Sequence, residues 1–381
     1  MSMQVSPMPS KLTLPSMRKS SVTNEAAVKI EISAVDALDS ATTAQIDALA
    51  FEVETSHLKN AFFARAPISV SDGFSRKTVY WLLCYRGKSL SFAAPVVKLG
   101  LPGMRCLKVQ THNYAPLGTP LIAANFNADD FRAELAAHGY AALICPVLEC
   151  SSAFARQIEG SAKVFWSTVT SRAWLQTGWD EAQVLSSKRR KEHRRLAKKV
   201  PLEHIVLHGE DARDSGFKEF CRLEALGWKG DFGTALKQEE HVFAYARALV
   251  DHHATAGIMT IDCLRHGERT VAMLITFQKG GRGVIWKIAH DPEFDHVSPG
   301  RQLILSATAR FVEQNQNVAM DSLADVNHPL INRLWPDRLD LGTMSVVLGN
   351  FSLPAKVLSG LDELESRLRA KARVLRKRLR G

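Results

Sequence analysis

The stretch that decides the fold begins Ile258-Met-Thr-Ile-Asp262-Cys-Leu-Arg, turns at His266-Gly267-Glu268 and runs on from Arg269 to Phe277. A glycine break at residues 279–283 leads to Val284-Ile-Trp-Lys-Ile-Ala-His290. Beyond it come Ser298-Pro299-Gly300 and an apolar-periodic run to Glu313. Two β-branched and apolar runs around a short Gly turn predict a hairpin, and the next glycines turn the chain into a third antiparallel strand. Leu303, Ile304, Ala307 and Phe311 share one helical face. Ser298 suits an N-cap and Pro299 the first helical position, so a helix is expected to open just past the third strand. The N–H groups and dipole of such an N-terminus favour an anion.

Upstream stands Phe220-Cys-Arg-Leu-Glu224-Ala-Leu-Gly-Trp228-Lys229-Gly230-Asp-Phe-Gly233-Thr-Ala-Leu236, and downstream the segment from Asp321 to Trp335. Together with Ser298-Pro299-Gly300 they resemble the GNAT-superfamily acyltransferases of the CelD/BcsL type. That group is tied to bacterial cellulose biosynthesis and is akin to the double-GNAT FemAB proteins. The resemblance covers most of residues 160–340. It implies an α/β fold, with two tandem GNAT-like (acyl-CoA N-acyltransferase) domains built on mixed, mostly antiparallel sheets. It also implies acetyl-CoA or another acyl-CoA as substrate, with its phosphates near Ser298, Gly300 and Arg301. The usual GNAT phosphate loop, Arg/Gln-x-x-Gly-x-Gly/Ala, is absent, and only Gly300 stands near its place.

Composition agrees with a protein of about two domains: 381 residues, 46% hydrophobic and 23% charged. No apolar run approaches the ~20 residues of a membrane span. Six cysteines without a C-x-x-C pair argue against a disulfide framework or zinc site and for a reducing cytoplasm. The net charge of +10 is concentrated. Residues 188–199 carry +7 (eight Lys/Arg less one Glu) and residues 361–381 carry +5 (eight less three acids), leaving −2 elsewhere. Any anionic partner should meet those two segments.

In chain order, residues 1–25 read as a disordered tail. Residues 28–32 alternate like a strand, and 41–53 carry a helical pattern. Residues 78–83 and 90–97 flank Arg86-Gly87-Lys88 as a hairpin, much as 258–265 and 269–277 flank His266-Gly267-Glu268. The likeness suggests two copies of one fold. Asn127 caps a helix ending at Gly139, and 141–149 and 162–173 read as strands. The expected division is 26–160, 161–350 and a basic helix over 351–381.

Several groups are candidates for chemistry. A Ser-capped helix over residues 187–199 aligns Arg190, Arg194 and Lys198 at i, i+4, where like charges repel unless an anion lies near. CoA phosphates, an anionic lipid or glycan precursor, and RNA are the candidate anions; a solvated face is the alternative. In the Gly227–Gly233 loop, Trp228, Lys229 and Gly230 suit cofactor binding, Lys229 by neutralising phosphate and Gly230 by close backbone approach. Equally, these glycines read as a helix stop with turns. Direct acyl transfer needs a base and an oxyanion or thiol donor. Base candidates are Asp325, His328, Asp321 and Glu224, with Asp262 behind them. Asp325 with His328-Pro329 also reads as a turn cap. His252-His253 lacks a third ligand, so no metal is expected. The 361–381 stripe of Leu361, Leu364, Leu368, Ala372, Leu375 and Leu379 suits an anionic membrane surface, a synthase partner, or its own domain.

The resemblance thus implies a cytoplasmic acyltransferase, peripheral to the inner membrane in one version. It would move an acyl group from CoA to an amine or hydroxyl of an envelope glycan or lipid precursor. The alternatives are a FemAB-like transferase using aminoacyl-tRNA and a non-catalytic GNAT pair serving as an interaction module.

Overall fold

The computed structural model describes residues 27–34, 37–52, 78–101, 104–231, 233–279, 281–315 and 318–348. The expected tail at 1–25 and the basic helix at 351–381 lie outside them. The described residues build one mixed sheet of thirteen strands with helices on its faces.

The first half runs β1 (Val28–Ala34), α1 (Ser40–Glu52), β2 (Val79–Arg86), β3 (Ser89–Leu101), β4 (Met104–Val109) and β5 (Leu121–Ile122). Then come α2 (Ala128–Ala137), β6 (Tyr140–Glu149), α3 (Ala153–Glu159) and the long β7 (Val164–Gln176). The β2–β3 hairpin closes at Gly87, whose φ of 62° is the left-handed conformation a two-residue turn demands. Asn127 caps α2 by accepting the N–H groups of Asp129 and Asp130, and Gly139 ends it at φ 79°.

The second half runs α4 (Ser187–Lys199), β8 (Glu203–His208), α5 (Phe217–Leu226), α6 (Trp228–Asp231) and α7 (Glu240–Thr255). It continues with β9 (Met259–His266), β10 (Arg269–Lys279), β11 (Arg282–His290), α8 (Pro299–Gln314), β12 (Ala319–Asp321), α9 (Ile331–Leu334) and β13 (Asp337–Val347).

The strand order β1-β2-β3-β4-β6-β13-β7-β12-β11-β10-β9-β8 reads alike from both ends. From either edge, three antiparallel ladders are followed by one parallel pair, β4 with β6 and β11 with β12. The hairpin likeness is therefore a repeat of topology. At the centre, β13 lies between β6 and β7 and pairs antiparallel with both. Residue 161 falls between α3 and β7, while a strand from after it completes the ladder beside β6.

Each half has its own core. Phe92, Phe126, Phe131 and Phe154 stack under the first half, their centroids 4.5–6.1 Å apart. Phe217, Phe220, Tyr245, Phe277 and Trp286 fill the α5/α7 side of the second half; Leu303, Ile304, Phe311 and Trp335 fill the α8 side. Burying each such side chain contributes about 1.5–3 kcal/mol. Ala115 and Leu117, from a first-half loop, join the α5/α7 core and seat one half on the other. No described helix is long and apolar enough to cross a membrane.

Candidate functional site

The parallel pair β11–β12 holds for three registers only, Arg282↔Ala319, Gly283↔Met320 and Val284↔Asp321. Past Val284, β11 runs on to His290 with β10 alone as a registered neighbour among the described residues, so its other edge has no strand partner there. Gly283 permits the close start: a Cβ there would lie 2.8 Å from Met320 Sδ of β12, and 2.4 Å from the Phe277 carbonyl oxygen of β10.

On the α5 side of this edge a charged cluster is buried in the core. Glu224 lies on α5, and its carboxylate is almost wholly enclosed. Its Oε1 accepts Lys229 Nζ at 2.9 Å and lies 3.6 Å from Lys287 Nζ; its Oε2 accepts the Leu236 N–H at 2.9 Å. Lys229 Nζ also donates to the Ile288 carbonyl at 3.2 Å, bridging α6 to β11. Burial alone would raise the Glu224 carboxyl, but Lys287, Lys229 and the Leu236 N–H together hold it below the ordinary range. Burial is also the main cause that brings the Lys287 amine down to about 8, against the pull of Glu224.

Lys287 reaches α5 because β11 bulges. Ile275 pairs with Lys287 and Thr276 with Ile285, leaving Trp286 as the extra residue. Trp286 and Lys287 consequently both serve the α5 side. The loop from the first half covers them: Trp286 Nε1 donates to the Tyr114 carbonyl at 3.1 Å, and Lys287 Nζ sits 4.8 Å from the Tyr114 ring centre. His112 meets Tyr245 edge to face at 5.3 Å, and burial lowers its pKa to about 4. One turn back along α5, a cavity of about 450 Å³ is lined by Phe217, Cys221 and Phe243, with Ser215, Lys218, Lys237 and the ion-paired Asp214 and Arg247 at its polar positions.

On the other side of the same end of β11 lies the N-terminus of α8. Ser298 was expected to cap it and does not. It adopts a left-handed conformation (φ 55°, ψ 57°), which joins the 3-10 turn Pro292–Val297 to the helix and leaves its hydroxyl without a cap bond. Its carbonyl accepts the Arg301 and Gln302 N–H groups instead. Gly300 faces His290 and Ile288 with room to spare, since an added Cβ would meet nothing nearer than 3.8 Å. The Arg301 Nε is buried with no hydrogen-bond partner among the described residues. Acids are also present: His290 holds Asp295 at 2.8 Å, while Arg269 pairs with Asp291 and Glu293.

The basic helix α4 packs beside this turn. Its Ser186 cap forms as expected, accepting the Arg189 N–H. Arg194 and Lys198 are exposed; Arg190 is half-buried and folds back to the Ala182 carbonyl. The charged Arg301 lies close enough to lower the half-buried His193 further, after burial itself.

The other expected residues lie elsewhere. Asp321 is buried at the end of β12 and pairs with Arg172 of β7. Asp325 is exposed, and its carbonyl accepts the His328 N–H. His328 Nδ1 accepts the N–H groups of Leu330 and Ile331, capping α9. Asp262 is wholly buried between Arg310 and His204. Gly230 packs on α5, where a Cβ would stand 2.0 Å from the Ala225 carbonyl oxygen; Gly233 needs its positive φ of 70°. The side chain of Trp228 is outside the described residues. Lys287 and Tyr114 were not foreseen. The signal for Lys287 was a lone lysine inside an apolar strand; Tyr114 had none. Among the described residues no group of His, Cys, Asp or Glu is arranged to hold a metal.

Residues 187–323, from α4 through β12, match the acetyltransferase (GNAT) domain family. No curated protein sequence matches the chain. Solved structures resemble it at low identity. L-PGS from Bacillus licheniformis is 12% identical over 83% of this chain and 94% of its own, with a TM-score of 0.48. A conserved protein of unknown function from Bacteroides thetaiotaomicron is 12% identical over 80% and 97%, at 0.49. A tandem GNAT protein from the clavulanic acid biosynthesis pathway is 14% identical over 85% and 100%, at 0.38.

Proposed function

We propose that the chain transfers an acyl group from acyl-CoA to an amine or hydroxyl acceptor in the β11–β12 cleft. The observation that carries this reading is the edge of β11 past Val284, which has no strand partner among the described residues and meets Gly300 of α8 at Ile288 and His290 on one side and the Glu224 cluster at Lys287 and Ile288 on the other. It falls within the segment that matches a GNAT domain. On this reading the CoA phosphates lie by Gly300 and Arg301, with α4 supplying further positive charge. The thioester lies along the free edge of β11. Lys229 holds a backbone carbonyl of that edge and supplies positive charge for the developing oxyanion.

The acceptor enters from the α5/α7 side. The apolar cavity one turn along α5 from Glu224 carries Lys218 and Lys237 beside the Asp214–Arg247 pair, and suits an acceptor with a hydrophobic body and an anionic group, as lipid and glycan precursors of the envelope carry. The exposed basic row of α4 supports a second reading, in which the donor is an aminoacyl-tRNA. Calorimetry on the full chain tests the two readings in parallel. Saturable one-to-one binding of acetyl-CoA supports the first. Heat from total tRNA alone, with none from acetyl-CoA at millimolar concentration, overturns it in favour of the second.

A further inference from the structure

Two ammonium groups share one buried carboxylate in the cleft. Glu224 is committed on both oxygens, Oε1 to Lys229 at 2.9 Å and Oε2 to the Leu236 N–H at 2.9 Å. Lys287 stands farther off, at 3.6 Å, with its side chain 14% exposed and the Tyr114 ring over it. Lys229 donates to a second acceptor, the Ile288 carbonyl, and is the more fully hydrogen-bonded of the two amines. A second buried charge with only a shared partner is costly, and a lysine relieves that cost by losing its proton. An unprotonated amine is a nucleophile. The bulge turns this one toward α5, next to Ile288 of the β11 edge along which the thioester lies if the acyl-CoA reading holds.

We propose that Lys287 Nζ is itself an acyl acceptor: with acyl-CoA in the cleft and no external acceptor present, the acyl group passes to this amine. The inference rests on the acyl-CoA reading above. The neutral Nζ attacks the thioester carbonyl carbon, a C–N bond forms and the C–S bond breaks. CoA leaves as a thiolate and takes up the proton that the attacking nitrogen loses, giving CoA thiol and a neutral amide. The product leaves Glu224 facing Lys229 alone, one charge against one. It also places an acyl group where the acceptor would approach, so an enzyme acylated at Lys287 is self-blocked.

The test incubates the full chain with acetyl-CoA, without acceptor, and maps acetylated peptides by mass spectrometry. Lys287 should be acetylated at least about tenfold faster than exposed lysines of the first half such as Lys29 or Lys88 near pH 8, because far more of its amine is neutral there. The rate should saturate with acetyl-CoA, level off above pH 8 and fall away with excess desulfo-CoA. Lys287→Arg removes the fast site, and Lys287→Met does so if arginine disturbs the fold. An unmodified Lys287 in a chain that calorimetry shows to bind acetyl-CoA overturns this inference and leaves the acyl-CoA reading standing. Absence of acetyl-CoA binding overturns both. Trace labelling with acetic anhydride adds an arm free of CoA: Lys287 reactivity that titrates near 10.5, as for an ordinary lysine, also overturns the inference.

Discussion

Arg172 and Asp321 meet inside the sheet, Nη2 to Oδ2 at 2.5 Å, with both side chains buried. The pair ties β7 to the last residue of β12, just where the pairing of β12 with β11 ends. A proton-accepting role for Asp321 would require breaking it. Removing one member of a buried pair leaves the other charge uncompensated, so Asp321→Asn should lower stability by about 3–5 kcal/mol. Urea unfolding reads this directly. Turnover per folded molecule should hold; a wild-type midpoint with lost turnover would place Asp321 in the chemistry.

His328 offers a sharper contrast, because its Nδ1 lone pair already serves two backbone N–H groups at 3.3 Å. His328→Ala should remove the cap and about 1 kcal/mol of stability, while His328→Asn should restore most of it. Turnover should follow the folded fraction in both. If His328→Asn and Asp325→Asn fold like wild type yet each lose about 100-fold in rate, the general base lies in that turn.

Gly300→Ala separates fold from ligand. The added methyl has ordinary space around it, and alanine favours a helix over glycine by about 1 kcal/mol. The melting temperature should therefore hold or rise. A phosphate seated against that backbone would be pushed away, so the calorimetric Kd for CoA should weaken. Arg301→Gln should weaken it by about tenfold or more, the scale of one charged hydrogen bond. Unchanged affinity in both variants would move the phosphate site elsewhere.

Acid stability should be governed partly by two histidines held neutral. Burial lowers His253 to about 3 and His112 to about 4, from an ordinary 6.5. Between 6.5 and those values the unfolded chain binds protons that the folded chain does not, so stability falls as pH drops through that window. His253→Gln, which keeps a polar side chain near the Leu249 carbonyl, should flatten the slope of unfolding free energy between pH 6 and 4. A slope unchanged in this variant would assign the acid sensitivity to other groups.

Much of the second half was readable because its turns are written in glycine. Gly267 and Gly281 take φ values of 58° and 78°, and the strands expected around them form from Met259 to His290. The strand β13 was not readable. Leu339 and Leu341 begin an alternation, then register shifts between Leu341 and Thr343 against β7 and between Gly342 and Met344 against β6 move the pattern to the other phase. Its partner β6 is also remote in sequence, and no local signal reports such pairing. The site divided in the same way. Glu224 and Lys229 stand in a quotable motif, whereas Tyr114 reaches the cleft only because the first half folds over the second.

The place of β13 bears on how the chain is made. A ribosome delivers β6 long before residues 337–347, yet β6 has β13 as its neighbour on that side. The first half therefore cannot complete its sheet as it emerges. Until then it carries an open, apolar strand edge, the kind that invites mispairing between nascent chains. Assembly of the amino-terminal half must wait for nearly all of the second half to be translated, which reverses the usual order in which tandem units mature.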